Sequence, residues 1–569
     1  MVEVVSKPKS YFKATPNLLD YDKAYLSFSW KKYYNELEWF PGGKINAAYN
    51  SVDRHLKTWR KNKVALYWEG EDGSEKKFTF EDLSEISNQY ANYFRNLAVN
   101  RGDRVFIFLP RIPELYLAFL GILKVGAIAG TLFSAFQEKA LEDRLENSGA
   151  KVLVTSKELK LRVDKIRGKL KDLKEIVAVD DPKFQKTLAL CSNSFKIAQM
   201  AQTDAAFMLY TSGTTGKPKG VVHQHLAILQ EHLTAKWILD MHDEDTYWCT
   251  ADPGWVTGIA YEILGSWSNG VAAVVYEGRF NPERWYAILE KYRVSIWYTA
   301  PTAIRMLMAA GNELVRGHNL SSLRHLASVG EPLNPEAIRW GLRVFKLPFH
   351  DNWWQTETGA ICIANYPSLP IKIGSMGKPF PGVVAEIVDD AGNPCRPGKI
   401  GNLALKPGWP SMMRKIWRRP QKYKKYFLKN WYITGDLAYK DKDGYFWFVG
   451  RADDVIKTAG ERVGPFEIES VLIEHPAVVE AGVIGKPDPL RGEIIKAFIV
   501  LKEGFKPSEK LKEGLAMYVK SHLAGHAYPR EIEFIDKLPK TRSGKIMRRV
   551  LKAKELGLPI GDTSTLEEY

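Results

Sequence analysis

The chain has 569 residues, with 81 Lys+Arg against 66 Asp+Glu and a formal net charge of +15. At 45% hydrophobic and 26% charged, it has an ordinary globular composition. That excludes a mainly disordered, collagen-like or disulfide-scaffold protein.

The four cysteines, Cys191, Cys249, Cys362 and Cys395, form no C-x-x-C pair. Neither a zinc ribbon nor a disulfide framework is expected, and a reducing, cytoplasmic setting is. Met1 to Pro8 lacks the long apolar run of a signal peptide, so no targeting segment is expected. The positive excess points to polyanionic partners, which could be nucleic acid, an anionic membrane or phosphorylated small molecules.

In chain order, Val105–Leu109 reads as a buried strand, Pro113–Leu123 as a helix and Ala127–Phe133 as the next strand. Leu115–Phe136 is the best membrane-span candidate, but Lys124 and three glycines argue for a helix followed by a strand. Lys151–Thr155, Ile176–Val179, Ala205–Tyr210, Ala272–Tyr276 and Ser295–Thr299 continue the rhythm. Strands alternating with helices predict βαβ units, so the class is α/β with parallel sheet. After about residue 380 the strands shorten. Val383–Val388, Gly401–Leu405 and Gly444–Phe448 suggest a β-rich subdomain, with turn chemistry at Asp389–Asn393. From Asp454 the pattern becomes a compact α+β unit of some hundred residues.

Tyr210-Thr211-Ser212-Gly213-Thr214-Thr215-Gly216-Lys217-Pro218-Lys219-Gly220 carries the strongest chemistry. Its glycines let backbone approach a ligand, and its N–H groups form an anion nest. Hydroxyls and two lysines add donors and charge. Only two residues separate Gly213 from Gly216, so this is not a Walker A loop, which needs four.

This string resembles the phosphate-binding loop of the AMP-forming acyl-CoA synthetases of the adenylate-forming superfamily. Other motifs follow in that family's order: Gly330-Glu331-Pro332, Asp351–Gly359, Tyr432–Asp436, Gly450–Lys457, Gly460–Arg462 and Pro539–Arg549. The early stretch Trp39–Asn46 with Asp53-Arg54-His55 looks like the acetyl-CoA synthetase branch. The resemblance covers nearly the whole chain. It implies a large N-terminal domain of several subdomains, residues 1–452, and a small mobile α+β C-terminal domain, 453–569, hinged at Asp453.

The resemblance also implies a reaction. A carboxylate attacks the α-phosphate of ATP, giving acyl-adenylate and pyrophosphate, and the thiol of coenzyme A then displaces AMP. The carboxylate is its own nucleophile, so the protein must supply positioning and cations rather than a Ser-His-Asp set.

By matched position, the ATP site would comprise Thr211, Ser212, Gly213, Thr214, Thr215, Gly216, Lys217, Gly330, Glu331, Pro332, Asp351, Asn352, Trp353, Trp354, Gln355, Thr356, Asp436, Arg451 and Arg462. Asp436 and Arg451 would hold the ribose, and Arg462 would face the phosphates. Lys545 would be the catalytic lysine, and its acylation by a lysine acyltransferase, reversed by a deacylase, would switch the first step off. Glu357 would hold Mg2+ on the phosphates, with His475 as a less suitable second contact, since imidazole fits magnesium poorly.

Trp255, Val256, Thr257, Val329 and Trp354 would line the acyl pocket. An indole at its floor favours acetate, with propionate the alternative. Thr257, Asn281, Ala459, Gly460 and Lys520 would meet coenzyme A. Lysine at 520 keeps the charge but loses the fork of the arginine often found near there.

Two other readings compete. Arg414–Lys429 holds eight Lys/Arg and no acid. With Trp417, Tyr423, Tyr426 and Phe427 between them, it would suit single-stranded nucleic acid, though no known nucleic-acid module is evident. Loading of a carrier protein is the other, but the Trp354 pocket favours acetate. Asp454–Tyr569 has 19 basic and 18 acidic residues, so almost all the excess charge lies before it.

Overall fold

The computed structural model describes residues 3–8, 11–213, 216–458, 461–523, 527–541, 545–560 and 566, with the side chains of Ser212, Lys217, Glu461 and Arg462 left aside. Two large sheets form the body. The nine-stranded sheet has six parallel strands at its centre: Val64–Glu69, Ala272–Tyr276, Thr246–Cys249, Ile296–Thr299, His325–Ser328 and Phe349–Trp353. The seven-stranded sheet carries Lys415–Ile416, Gly216–Gln224, Ala205–Gly213, Ile128–Leu132, Arg104–Phe108, Val152–Thr155 and Glu175–Ala178, in that order. Its last five strands are parallel. The expected α/β rhythm is therefore present, with helices supplying the crossovers.

The membrane-span candidate is the buried helix Pro113–Val125 followed by Ile128–Leu132. Pro113 opens the helix and Gly126, at φ 83°, closes it in the left-handed conformation. Among the described residues no helix is long and apolar enough to cross a membrane.

After residue 380 an antiparallel sheet forms from Ala385–Val388, Gly401–Leu405, Trp431–Lys440, Phe427–Leu428 and Phe446–Arg451. Asp389 closes the expected turn through its bonds with the amides of Ala391 and Asn393. A further sheet, built on the long hairpin of Val478–Asp488 with Gly492–Leu501, belongs to the C-terminal unit. Helices Pro465–Glu474, Glu509–His522 and Arg548–Leu556 accompany it. Its cores around Ile468 and Leu538 contain only residues of this unit.

The early Asp53-Arg54-His55 motif is architectural. Asp53 pairs with the fully buried Lys124 at 2.8 Å, and Lys124 also donates to Ser84 O and Asn88 Oδ1. His55 bonds Trp267 O at 2.7 Å, while Arg54 donates to Glu36 O and Ser268 O. Replacing Lys124 with Met leaves Asp53 uncompensated. Calorimetric unfolding should then show a loss of about 3–5 kcal/mol; a loss under ~1 kcal/mol would mean that water reaches the carboxylate.

Candidate active site

The glycine-rich string does not begin a loop where its first glycine stands. Strand Ala205–Gly213 runs on and pairs antiparallel with Gly216–Gln224, setting Thr211 opposite Lys219 and Gly213 opposite Gly216. Thr214 and Thr215 lie outside the described residues.

Lys219 leaves the second strand and pairs with Glu357 Oε1 at 2.6 Å. The Tyr426 hydroxyl donates to the same oxygen at 3.1 Å and accepts from Lys219. The Lys219 ammonium also lies 4.8 Å from the Tyr426 ring centre. Burial opposes ionisation of Glu357, yet Lys219 and Tyr426 together hold its carboxyl below the ordinary range. Lys219 is correspondingly raised, its desolvation outweighed by Glu357. Glu357 is placed by the turn ending at Gly359, whose φ is 76°. A Cβ there would stand 2.1 Å from Ser411 O, so only glycine fits.

The second cluster grows from hairpin register. Asp436 and Arg451 are direct cross-strand partners, and Arg451 donates to Asp436 Oδ1 at 2.9 Å. Asp436 Oδ2 accepts from Trp353 Nε1 at 2.9 Å and Gln355 Nε2 at 3.0 Å. Burial raises the Asp436 carboxyl pKa, with Arg451 and the Trp353 bond working against the rise. Gln355 is itself fixed by Thr434 O and the Tyr432 hydroxyl. Asp351 is buried and its pKa is raised by that burial. Asn352 accepts from the Tyr298 hydroxyl and donates to Ser328 O. The Thr356 backbone meets His223.

Gly330, Glu331 and Pro332 follow strand His325–Ser328, beside the strand that carries Asp351–Trp353. Both motifs thus stand at carboxyl ends of neighbouring parallel strands, where ligands of open α/β sheets bind. Glu331 pairs with Arg305 at 3.2 Å and accepts from Thr302.

The C-terminal unit closes over this face. Ser470 accepts from Asn334 Nδ2 at 2.9 Å, and Glu474 pairs with Arg339 at 3.2 Å. Lys545 is tied to Thr541 by two bonds, Thr541 N donating to Lys545 O and Lys545 N donating to Thr541 Oγ1. Its side chain keeps contact with solvent but is crowded by protein. That crowding, and after it Arg451, draws its pKa below the ordinary lysine value, while Asp436 and Asp454 oppose the shift. Arg462 pairs through its backbone opposite Lys457.

Val256 and Val329 belong to the main apolar core, and Trp354 packs against it. Behind Trp354 stands Tyr261, edge-to-face with ring centres 5.1 Å apart. The Tyr261 hydroxyl accepts from Ile361 N at 2.7 Å and bonds Thr234 Oγ1 at 2.8 Å. Tyr261 lies on Gly258–Gly265, a π-helix preceded by buried Thr257. Runs this long with i→i+5 spacing are rare and often mark sites.

Several expected site residues lie apart. Trp255 packs on Phe133, ring centres 4.7 Å apart, in a different apolar cluster from Trp354. Asn281 caps helix Pro282–Lys291, its Oδ1 taken by Arg284 N. Lys520 lies over the Tyr528 ring at 5.3 Å. His475 accepts from Ala477 N and meets the Tyr518 ring. No hydrogen bond or ion pair joins it to Glu357. Ala459 and Gly460 fall outside the described residues. Conversely, Tyr426, Tyr261 and Tyr298 were not expected; nothing in a lone tyrosine's neighbours signals such contacts.

The family model of AMP-binding enzymes matches residues 52–417, and that of the AMP-binding enzyme C-terminal domain matches 467–545. An acetyl-coenzyme A synthetase of Bacillus subtilis is 56% identical, the match covering 97% of this chain and 98% of the relative. One from Methanothrix thermoacetophila is 45% identical over 99% and 89%. Among solved structures, the anthranilate CoA ligase AuaEII in complex with anthranoyl-AMP is 32% identical with a TM-score of 0.84, covering 90% of this chain and 98% of its own. The Brucella canis acyl-CoA synthetase is 36% identical with a TM-score of 0.74, covering 95% and 99%. On these matches and this architecture, the chain belongs to the AMP-binding enzyme family, with both the large and the C-terminal domain of that family.

Proposed function

We propose that this chain joins acetate to coenzyme A through acetyl-adenylate. An acetate oxygen attacks the α-phosphorus of ATP, and the bond to the β-phosphate oxygen breaks with its electron pair leaving on pyrophosphate. The sulfur of coenzyme A then attacks the acetyl carbon. The bond to AMP breaks, and the thiol proton passes to solvent. The observation that carries this reading is the approach of Lys545, from the small domain, to the Asp436–Arg451 pair of the large one. The close likeness to chains named acetyl-coenzyme A synthetase supports acetate as substrate.

In this reading Asp436 and Arg451 hold the ribose, and Arg451 also holds Asp436. Its Oδ2 is already committed to Trp353 and Gln355, so Oδ1 carries the free lone pair for a ribose hydroxyl. Lys545 is the positive point between the carboxylate and the α-phosphate.

Magnesium fits at Glu357: both side-chain contacts fall on Oε1, which leaves Oε2 to a cation. An ion held mainly by phosphate oxygens needs few protein ligands of its own. When bound, it would neutralise phosphate charge. His475 accepts from Ala477 N through Nδ1, so Nε2 is the ring nitrogen left for a second metal contact.

Residues 1–452 and 453–569 are the moving units, hinged at exposed Asp453. Rotation would withdraw Lys545 and bring 459–460 toward the thiol, with Thr257, the free amide of Asn281 and Lys520 meeting coenzyme A. The setting is cytoplasmic. Acylation of Lys545 would remove its charge and stop the first step, and mass spectrometry of protein from its own cells tests for the modified form.

The reaction is tested by acetate-, ATP- and coenzyme A-dependent AMP release against acids of two to eight carbons. Lys545→Ala should cut acetate-dependent pyrophosphate exchange by roughly 10²–10³-fold, while consumption of supplied acetyl-adenylate changes far less. Equal losses in both assays would remove Lys545 from the first step. Trp354→Gly should move the preference from acetate to longer acids, by about 10–200-fold per methylene. An unchanged chain-length profile would show that Trp354 is not the pocket floor.

A further inference from the structure

The basic run Arg414–Lys429 has no role in the reading above, yet the fold places it beside the phosphate hairpin. Lys415 and Ile416 pair with Val222 and Val221, which extends the hairpin by one strand. Arg414 N donates to Val222 O, and Trp417 N donates to Gly220 O at 2.8 Å. The chain then turns through the short helix Pro420–Lys424 and returns at Tyr426 to the Lys219–Glu357 pair. The segment therefore begins beside Gly220, the residue after Lys219, and ends against the Lys219 side chain.

Its aromatic rings face inward. Tyr426 stacks on Tyr432 at 5.7 Å, Tyr423 packs on Phe427 at 5.1 Å, and Trp417 joins the cluster around Phe106 and Tyr210. Rings held this way are not a platform for bases. The cations are what remains. Lys429 donates to Asn393, Arg418 is 3.9 Å from Asp172, and Lys415 lies over Trp417. Lys422 differs from them. It is half-buried, close enough to Lys219, Arg419 and Glu357 to feel each charge. It makes no side-chain hydrogen bond or ion pair with any described residue. Burial, and after it Lys219, lowers its ammonium pKa. A half-buried cation beside another cation is a cost unless an anion completes the site.

We propose that Lys422 binds the pyrophosphate part of ATP and the pyrophosphate product, as a second cation beside Lys219. This rests on the ATP-dependent reading above. The anion is one that carries several charges, because it must meet Lys219 and Lys422 while Glu357 stays ionised. The rest of the run raises the local concentration of such anions.

The test uses the full chain with Lys422→Gln, its charge-keeping partner Lys422→Arg, and Lys424→Gln as an exposed control of equal charge change. Acetate-dependent exchange should show KM for ATP and for pyrophosphate raised roughly tenfold in Lys422→Gln, with KM for acetate and coenzyme A within about twofold. Lys422→Arg should recover most of the loss, and Lys424→Gln should match the parent. Calorimetry with pyrophosphate alone should weaken by the same factor. Should Lys422→Gln fail to fold, Lys422→Met, which keeps the stem, is read in the same way. ATP and pyrophosphate KM within twofold of the parent in a folded variant overturn the proposal. So does an equal loss in Lys424→Gln, which would show bulk charge alone. If the parent gives no acetate-dependent exchange at all, the reaction assignment fails, and the calorimetry still decides Lys422. A gel shift with single-stranded DNA that is lost in Lys422→Gln, with pyrophosphate binding unchanged, would assign the run to nucleic acid instead.

Discussion

The buried pair of Lys219 and Glu357 ties together three segments that are far apart in the chain. Lys219 comes from the phosphate hairpin, Glu357 from the turn after Trp353, and Tyr426 from the basic segment. Either charge alone in that place would cost several kcal/mol. Together they are tolerated, and the hydroxyl of Tyr426 satisfies both. On the proposed reading this side of the site is therefore assembled, with Lys219 and Glu357 compensating each other, before any ligand arrives.

The small domain meets this preformed face through polar contacts such as Asn334 with Ser470 and Arg339 with Glu474, and through the edge-to-face rings of Phe448 and Phe466. Glu3 also binds Arg339 at 2.9 Å, so the arginine keeps a partner when Glu474 is not beside it. The small domain has apolar cores of its own. An interface of this kind resembles a transient one, which supports the proposal that this unit leaves and returns. Lys545 is the charge that such motion would add or remove, because its neighbours Asp436 and Arg451 stay on the large domain.

Much of this was legible from residues alone. Val105–Leu109, Ala272–Tyr276 and Gly401–Leu405 lie on strands at or within a residue of their expected bounds, because buried runs between glycine-rich turns have few alternatives. Asp436 and Arg451 could be named from their motifs, and hairpin register explains why they stand together here. Other features depend on tertiary placement. Asn281 reads equally well as a ligand contact or a helix cap, and Pro282 just after it favours the cap. Trp255 stands next to Val256 in sequence, but neighbouring side chains on an irregular segment point apart, and Phe133 takes its ring. Tyr261 could not be placed without the π-helix, since a 3.6-residue period would turn its ring elsewhere. The phosphate string looked like a loop because glycines weaken strands, yet its hydrogen bonds with Lys219 and Gly220 extend the strand to Gly213.

The net charge of +15 takes on structure once the basic run is located. As composition it allowed nucleic acid, membrane or phosphorylated small molecules equally. The fold separates these by what each needs. A base-stacking surface needs exposed rings, and those of the run pack against Tyr432, Phe427 and the Phe106 cluster. A small polyanion needs cations that converge on one point, and the strand pairing of Lys415–Ile416 with the hairpin brings Lys422 toward Lys219. Position along the fold, rather than the sum of charges, is thus what gives the excess a chemical direction. The cations left facing outward, such as Lys424 and Lys425, can act only through the long-range field, which salt screens. Lys422, which feels the charges of both Lys219 and Glu357, lies inside the field of the pair itself.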